Sequence, residues 1–233
     1  MTIANFPNLS NTSVLGQTDE HILSIICPIL NLPVAINSAI VESWQAMQSA
    51  AKRDGFELCI ASGFRDFDRQ LSIWNRKFSG QLAIMNDNNE QVNIEQITAL
   101  EKVHAILRFS ALPGASRHHW GTDIDVYSPN MLPQGQQLQL EPWEYQENGY
   151  FHSLSLWLDE HMQQYGFAKV YQTDNGGIAP EPWHLSHIAT ATAFANKLTP
   201  NLLAQTLLAA DISGKTLLMA QLDEIYQRYI VLS

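Results

Sequence analysis

Cysteine is scarce in this chain. There are two among 233 residues, Cys27 and Cys59, and they do not form a C-x-x-C pair. That excludes a multi-disulfide framework or a cysteine-built metal site; both read as buried thiols that pack as small hydrophobes, with a single Cys27–Cys59 disulfide as the alternative. Long apolar runs are missing too. The best stretch, Ile22 to Leu32, is too short to cross a bilayer and is interrupted by Pro28, so no transmembrane segment is expected. Basic residues are few, 13 Lys and Arg against 23 Asp and Glu, for a net charge of −10. Such a balance argues against nucleic acid or an anionic membrane surface as partner and leaves room only for a local basic pocket. Met1 to Gly16 holds no Lys or Arg and no apolar core, so it does not read as a secretory signal, and the expected location is cytoplasmic.

What is present is ordinary globular composition, 45% hydrophobic and 15% charged. The length suits one domain over 1–233, with a core at about 34–190 and a C-terminal helical extension over about 191–233. Residues 1–20 read as irregular. Ile36, Ile40, Trp44, Met47 and Ala51 recur at helical spacing and predict a helix over about 34–54, stopped by Gly55. Phe56 to Ser62 alternates as a strand. A second helix carries Phe67, Leu71, Trp74 and Phe78; 79–93 is an exposed loop, and a third helix covers about 94–108. Gly121 to Tyr127 reads as a strand with Ile124 and Val126 on the face opposite Asp123 and Asp125. The Gln- and Pro-rich segment 128–149 is long enough to be a lid. A helix at about 151–165, a strand from Phe167 to Tyr171, and a further strand beyond Asp174-Asn175-Gly176-Gly177 lead to a helical tail at about 189–231. The fold class is therefore α+β: a small antiparallel sheet packed with helices.

Two segments carry chemistry: Ser116-Arg117-His118-His119-Trp120-Gly121-Thr122-Asp123-Ile124-Asp125 and Glu181-Pro182-Trp183-His184. His118, Asp125 and His184 offer two imidazole nitrogens and one carboxylate, three protein ligands that leave a position open for water, as in a catalytic zinc site. Asp123, on the same strand face, is the alternative carboxylate. His118 and Asp125 can meet only if the chain folds back at Gly121. Glu181 and His184, three apart, would face opposite sides of a flat strand unless Pro182 marks a strand start or bulge. His187 is a possible supporting contact. His119 points elsewhere, and His21, His104, His152 and His161 read as surface or helix residues.

The pattern Ser116-x-His118-x-x-Gly121-x-x-x-Asp125, followed by Glu181-x-Trp183-His184 and preceded by Ser62-Gly63-Phe64-Arg65-x-x-x-x-Gln70, resembles the zinc D-alanyl-D-alanine carboxypeptidases of the VanY and VanX kind, related in fold to lysostaphin-type peptidases and the hedgehog signalling domain. The resemblance covers about 55–190 and departs at Asp123, where the family has a small or apolar residue. It implies one zinc per chain on His118, Asp125 and His184, with Glu181 as catalytic base. Arg65 would stabilise the oxyanion or hold the substrate, and Gln70 and Ser116 would contact the terminal D-residue. The implied activity is release of a C-terminal D-alanine from peptidoglycan-derived peptides. A cytoplasmic location tilts the expectation toward L,D- rather than D,D-carboxypeptidase activity and toward muropeptide recycling. The alternatives are a D-Ala-D-Ala dipeptidase, an endolysin-type endopeptidase, and a zinc-binding module of the same fold without catalysis.

Overall fold

The computed structural model describes residues 9–231. The irregular stretch expected over 1–20 falls partly on residues 1–8, outside the described residues. Beyond them the chain makes one helical turn, α1 (Asn11–Val14), whose first turn is capped by the Ser10 hydroxyl. The apolar segment after it is a hairpin that the sequence reading missed. β1 (Ile22–Cys27) pairs antiparallel with β2 (Leu32–Asn37), Ile22 opposite Asn37 and Cys27 opposite Leu32. This corrects the start of the first predicted helix. Asn37 caps a short 3-10 turn (Ser38–Ile40), and only then does α2 (Val41–Arg53) begin. The apolar residues 34–36 obey a strand period locally and a helix period only when extended into α2.

β3 (Cys59–Ser62) leads to α3 (Phe67–Phe78), where the Asp66 carboxylate accepts from Arg69 N at 2.7 Å. Asp68 in the first turn and Arg76 and Lys77 in the last complement the helix dipole. α4 (Ala99–Leu107) starts later than expected because Thr98 and Glu101 close a capping box. β4 (Asp123–Tyr127) follows. The segment 128–149 is irregular apart from a 3-10 turn and α5 (Pro142–Tyr145). Then come α6 (His152–His161), β5 (Phe167–Lys169), β6 (His184–His187), α7 (Ile188–Lys197), α8 (Pro200–Ala209), α9 (Lys215–Ala220), α10 (Leu222–Ile225) and a terminal π turn (Tyr226–Ile230).

β3, β4, β6 and β5 form one antiparallel sheet in that order. One face of it is apolar. Ile124, Val126 and Leu185 are fully buried there against Trp44 and Met47 of α2 and Leu154 and Leu158 of α6. A second core lies among the helices. Trp74 of α3, Val103, Ile106 and Leu107 of α4, Phe194 of α7, Leu203 and Leu207 of α8, and Leu218, Leu222 and Ile225 pack together. The C-terminal helices thus do not cover the sheet; they complete the layer that carries α3 and α4. The polar face of the sheet is left looking into the seam between the two cores. The architecture is the expected α+β arrangement.

Candidate metal centre and active-site cleft

Antiparallel pairing of β4 and β6 sets Asp125 opposite His184 and Asp123 opposite Ser186. Strand alternation sends these side chains away from Ile124 and Leu185 and into the seam. His118 arrives from outside the sheet, on a 3-10 turn over Arg117–Trp120 that ends at Gly121 in the left-handed region, φ 63°. A β-carbon at Gly121 would lie 2.5 Å from Ile22 Cδ1 and 2.7 Å from Asn37 N, so only glycine lets the turn close against the hairpin. The upstream motif is stitched to the same turn. His118 Nδ1 donates to Gly63 O at 2.9 Å and Arg65 N donates to His118 O at 3.1 Å.

Glu181 does not stand in a strand. His184 N donates to Glu181 O at 3.1 Å, a turn that ends where β6 begins and brings residues 181 and 184 to the same side. The geometric difficulty in the sequence reading is resolved by that turn. His184 Nδ1 lies 3.3 Å from Asp125 Oδ1 and 3.4 Å from Glu181 Oε2, and His118 Nε2 lies 3.5 Å from Asp125 Oδ2.

The tautomers follow from the outer partners. A carbonyl can only accept, so His118 carries its proton on Nδ1 and presents the Nε2 lone pair. His184 Nε2 donates to Asp123 Oδ1 at 3.0 Å, which leaves Nδ1 as its lone pair. One donor atom each from His118, Asp125 and His184 lies within 4.8 Å of the other two. Asp125 Oδ1 and His184 Nδ1 are buried without a hydrogen-bond partner. Two imidazole nitrogens and a carboxylate oxygen, two of these atoms orphaned and all aimed at one point, fit a tetrahedral divalent cation.

The electrostatics agree with that donor set. Burial would lower the His184 pKa, but the hydrogen bond it donates to Asp123 and the nearby Asp125 and Glu181 carboxylates outweigh it and raise it well above the ordinary value. The cluster therefore has surplus negative charge for a cation to neutralise. Burial pushes His118 down to about 4, so its imidazole is neutral at neutral pH. Burial also raises the Glu181 carboxyl, as suits a group that must take up a proton.

Asp123 stands outside this donor cluster. Its Oδ1 also accepts from Arg117 Nε at 2.7 Å and its Oδ2 from Thr122 and Ser186 hydroxyls. Arg117 is itself buried, donates to Ser186 Oγ at 2.6 Å and lies over the Trp120 ring. Asp123 therefore arrives neutralised, and its place is behind His184. Arg117 escaped the sequence reading because it filled a variable slot beside His118; an arginine six residues before a buried aspartate was the available signal. Tyr171 was missed too, and a lone tyrosine after a short strand gave none. Its ring packs 4.9 Å from that of His184, and burial pushes its hydroxyl up to about 12.

The donors open into a cavity of about 280 Å³. Arg65, Ser116, His118, Asp125, Glu181 and His184 all line it. Gln70 does not. It is fully buried, receiving Arg65 Nη1 at 2.9 Å and donating to Ala111 O at 2.6 Å, so it holds Arg65 rather than facing the cavity. The 79–93 loop, read as merely exposed, contributes Met85, Asn86 and Asn89 to the wall, whereas 128–149 contributes only Leu140, Glu141 and Pro142. His187 packs against Phe167 and Thr190 away from the donors. His21 is half-buried rather than a surface residue, bonded to His119 O between Phe64 and Phe194.

Residues 34–190 match the VanY family, described as D-alanyl-D-alanine carboxypeptidase. An uncharacterised protein of Haemophilus influenzae is 40% identical over 122 residues, 52% of this chain and 93% of that protein. A D-alanyl-D-alanine carboxypeptidase of Enterococcus faecalis is 26% identical over 152 residues, 64% of this chain and 47% of the relative. Among solved structures, VanYB in complex with D-alanine-D-alanine superposes with a TM-score of 0.51 at 22% identity, covering 84% of this chain and 92% of that one, and so shares the fold. The matched span contains both motif segments, the upstream arginine segment and the whole four-stranded sheet, and the chain belongs to the VanY family of D-alanyl-D-alanine carboxypeptidases.

Proposed function

We propose that this chain is a zinc-dependent carboxypeptidase that releases a C-terminal D-alanine from peptidoglycan-derived peptides. One observation carries the reading. The free donor atoms of His118, Asp125 and His184 converge in the wall of a cleft, with Glu181 3.4 Å from His184 and Arg65 lining the same space. A zinc ion held by these three residues supplies Lewis acidity toward the scissile carbonyl and makes attack by water feasible near neutral pH.

The chain's own residues do the rest. Glu181 takes the proton of the attacking water and returns it to the leaving amine; its raised pKa makes both halves of that task accessible. Arg65, fixed by Gln70 and Ser62, brings a permanent positive charge to the oxygen that gains charge as the carbonyl becomes tetrahedral. Ser116 lines the wall beside the donors. Asp123 and Arg117 keep His184 in the tautomer that offers Nδ1.

Glu141 favours L,D- over D,D-cleavage. Glu141 lines the cavity, where a carboxylate would suit the side-chain ammonium of a lysine or diaminopimelate preceding the terminal D-alanine. The test is mass spectrometry of zinc-loaded protein with muramyl tetrapeptide and pentapeptide. Loss of D-alanine from the tetrapeptide alone supports L,D-specificity, and loss from the pentapeptide alone assigns D,D-specificity. Chelation should abolish turnover and zinc should restore it. Glu181→Gln should lower kcat by about 10²–10⁴-fold with zinc still bound. Stoichiometric zinc with neither peptide cleaved would sink the carboxypeptidase reading and favour an endopeptidase or a binding module.

A further inference from the structure

Lys77 lies in the last turn of α3 and lines the same cleft as Arg65. Its ammonium donates to Ser110 Oγ at 2.7 Å, which holds it against the segment that follows α4. The Gln70 amide donates to the next residue, Ala111. Among the described residues neither Lys77 nor Arg65 takes part in an ion pair. Arg65 Nε is buried with no partner at all. Burial lowers the Lys77 pKa and the neighbouring Arg65 charge lowers it further. Two cations therefore line one small cavity without an ion-pair partner of their own, in a chain whose net charge is −10. A desolvated like-charge pair is unfavourable unless a ligand supplies the missing negative charge.

Arg117, the third cation lining the cavity, is already bonded to Asp123. With Arg65 assigned to the reacting carbonyl, Lys77 is the cation left for a second negative group of the substrate. In a peptide cut by a carboxypeptidase, the free carboxylate lies one residue beyond the scissile carbonyl. We propose that Lys77, positioned by Ser110, is a specificity-determining residue that binds the terminal carboxylate of the peptide and makes the enzyme an exopeptidase. The inference rests on the carboxypeptidase reading above.

The experiment compares wild type, Lys77→Met and Lys77→Arg on four D-alanine-ended peptides. These are lysine- and diaminopimelate-containing versions, each as C-terminal acid and C-terminal amide. Lys77→Met should raise KM for both acids by about tenfold or more, the loss of one charge-assisted hydrogen bond, with kcat within about threefold. It should leave the amides unchanged, and Lys77→Arg should restore most of the acid preference. Calorimetric titration of Glu181→Gln, with and without Lys77→Met, reads the same acid-over-amide preference without turnover. If Lys77→Met leaves that preference intact in kinetics and binding, the proposal fails. An effect confined to diaminopimelate peptides, acid and amide alike, would assign Lys77 to the side-chain carboxylate and overturn it. If wild type cleaves no D-alanine-ended peptide, the carboxypeptidase reading fails, and the acid-versus-amide titration alone decides for or against Lys77.

Discussion

His119 adjoins a metal-ligand candidate, yet its own hydrogen bonds bar it from that role. Nδ1 donates to Arg65 O at 2.6 Å, and Nε2 accepts from Gly114 N at 3.0 Å. A second proton would point at the Gly114 N–H. Burial accordingly pushes its pKa down to about 4 from an ordinary 6.5. Between those values the unfolded chain binds a proton that the folded chain refuses, so stability falls as pH drops from 6.5 toward 4 and levels off below. At pH 5 this one residue should cost about 2 kcal/mol. Denaturant titration of metal-free protein at pH 7 and pH 5 checks it. His119→Gln should be less stable at pH 7 but show a smaller pH-dependent loss, and an unchanged loss would refute the assignment. At this scale the sequence offered the candidate metal donors because few residue types can hold a divalent cation. It could not separate Asp125 from Asp123, which share a strand face and differ only in what stands behind them.

Between the elements, Arg108 at the end of α4 ties together the two loops that flank the cleft. It pairs with Asp87 at 2.8 Å on the 79–97 loop, and with Asp174 at 2.5 Å and Gly177 O at 3.0 Å on the 172–180 loop. The two carboxylates are largely exposed, so the network should add little global stability. Its effect belongs to loop order. Arg108→Ala should speed amide exchange in 84–92 and 174–178 while shifting the unfolding free energy by no more than about 1 kcal/mol. Unchanged exchange in both loops would show that other contacts hold them. The cysteines act at this scale too. Cys27 of β1 and Cys59 of β3 are free, buried and 3.4 Å apart at sulfur, where the hairpin meets the sheet. The hairpin was the element least legible in the sequence. Ile22 to Leu32 has neither a paired turn signature nor strict alternation, and its strand character depends on Asn31 adopting a positive φ.

Across the whole molecule, two cores meet at the cleft, and the helical tail belongs to the second. Ile225 is fully buried in the layer that contains Trp74 and Ile106, so Ile225→Ala should cost about 2–5 kcal/mol. Because that layer carries α3, and with it Arg65's support from Gln70, the variant should also lose activity at temperatures where part of it is unfolded. A melting curve and an activity–temperature curve that separate would argue that the tail is independent of the site.

The sequence by itself determined the α+β class and offered the candidate donors with Glu181 beside them, because residue chemistry and local periodicity are properties of short segments. Only the tertiary structure decided that Glu181 and His184 share a side, since a turn rather than a strand joins them. It alone decided that Gln70 serves Arg65 and that Asp123 backs His184. It alone put Lys77 at the cleft, because these facts depend on contacts between residues far apart in the chain, which no local pattern encodes.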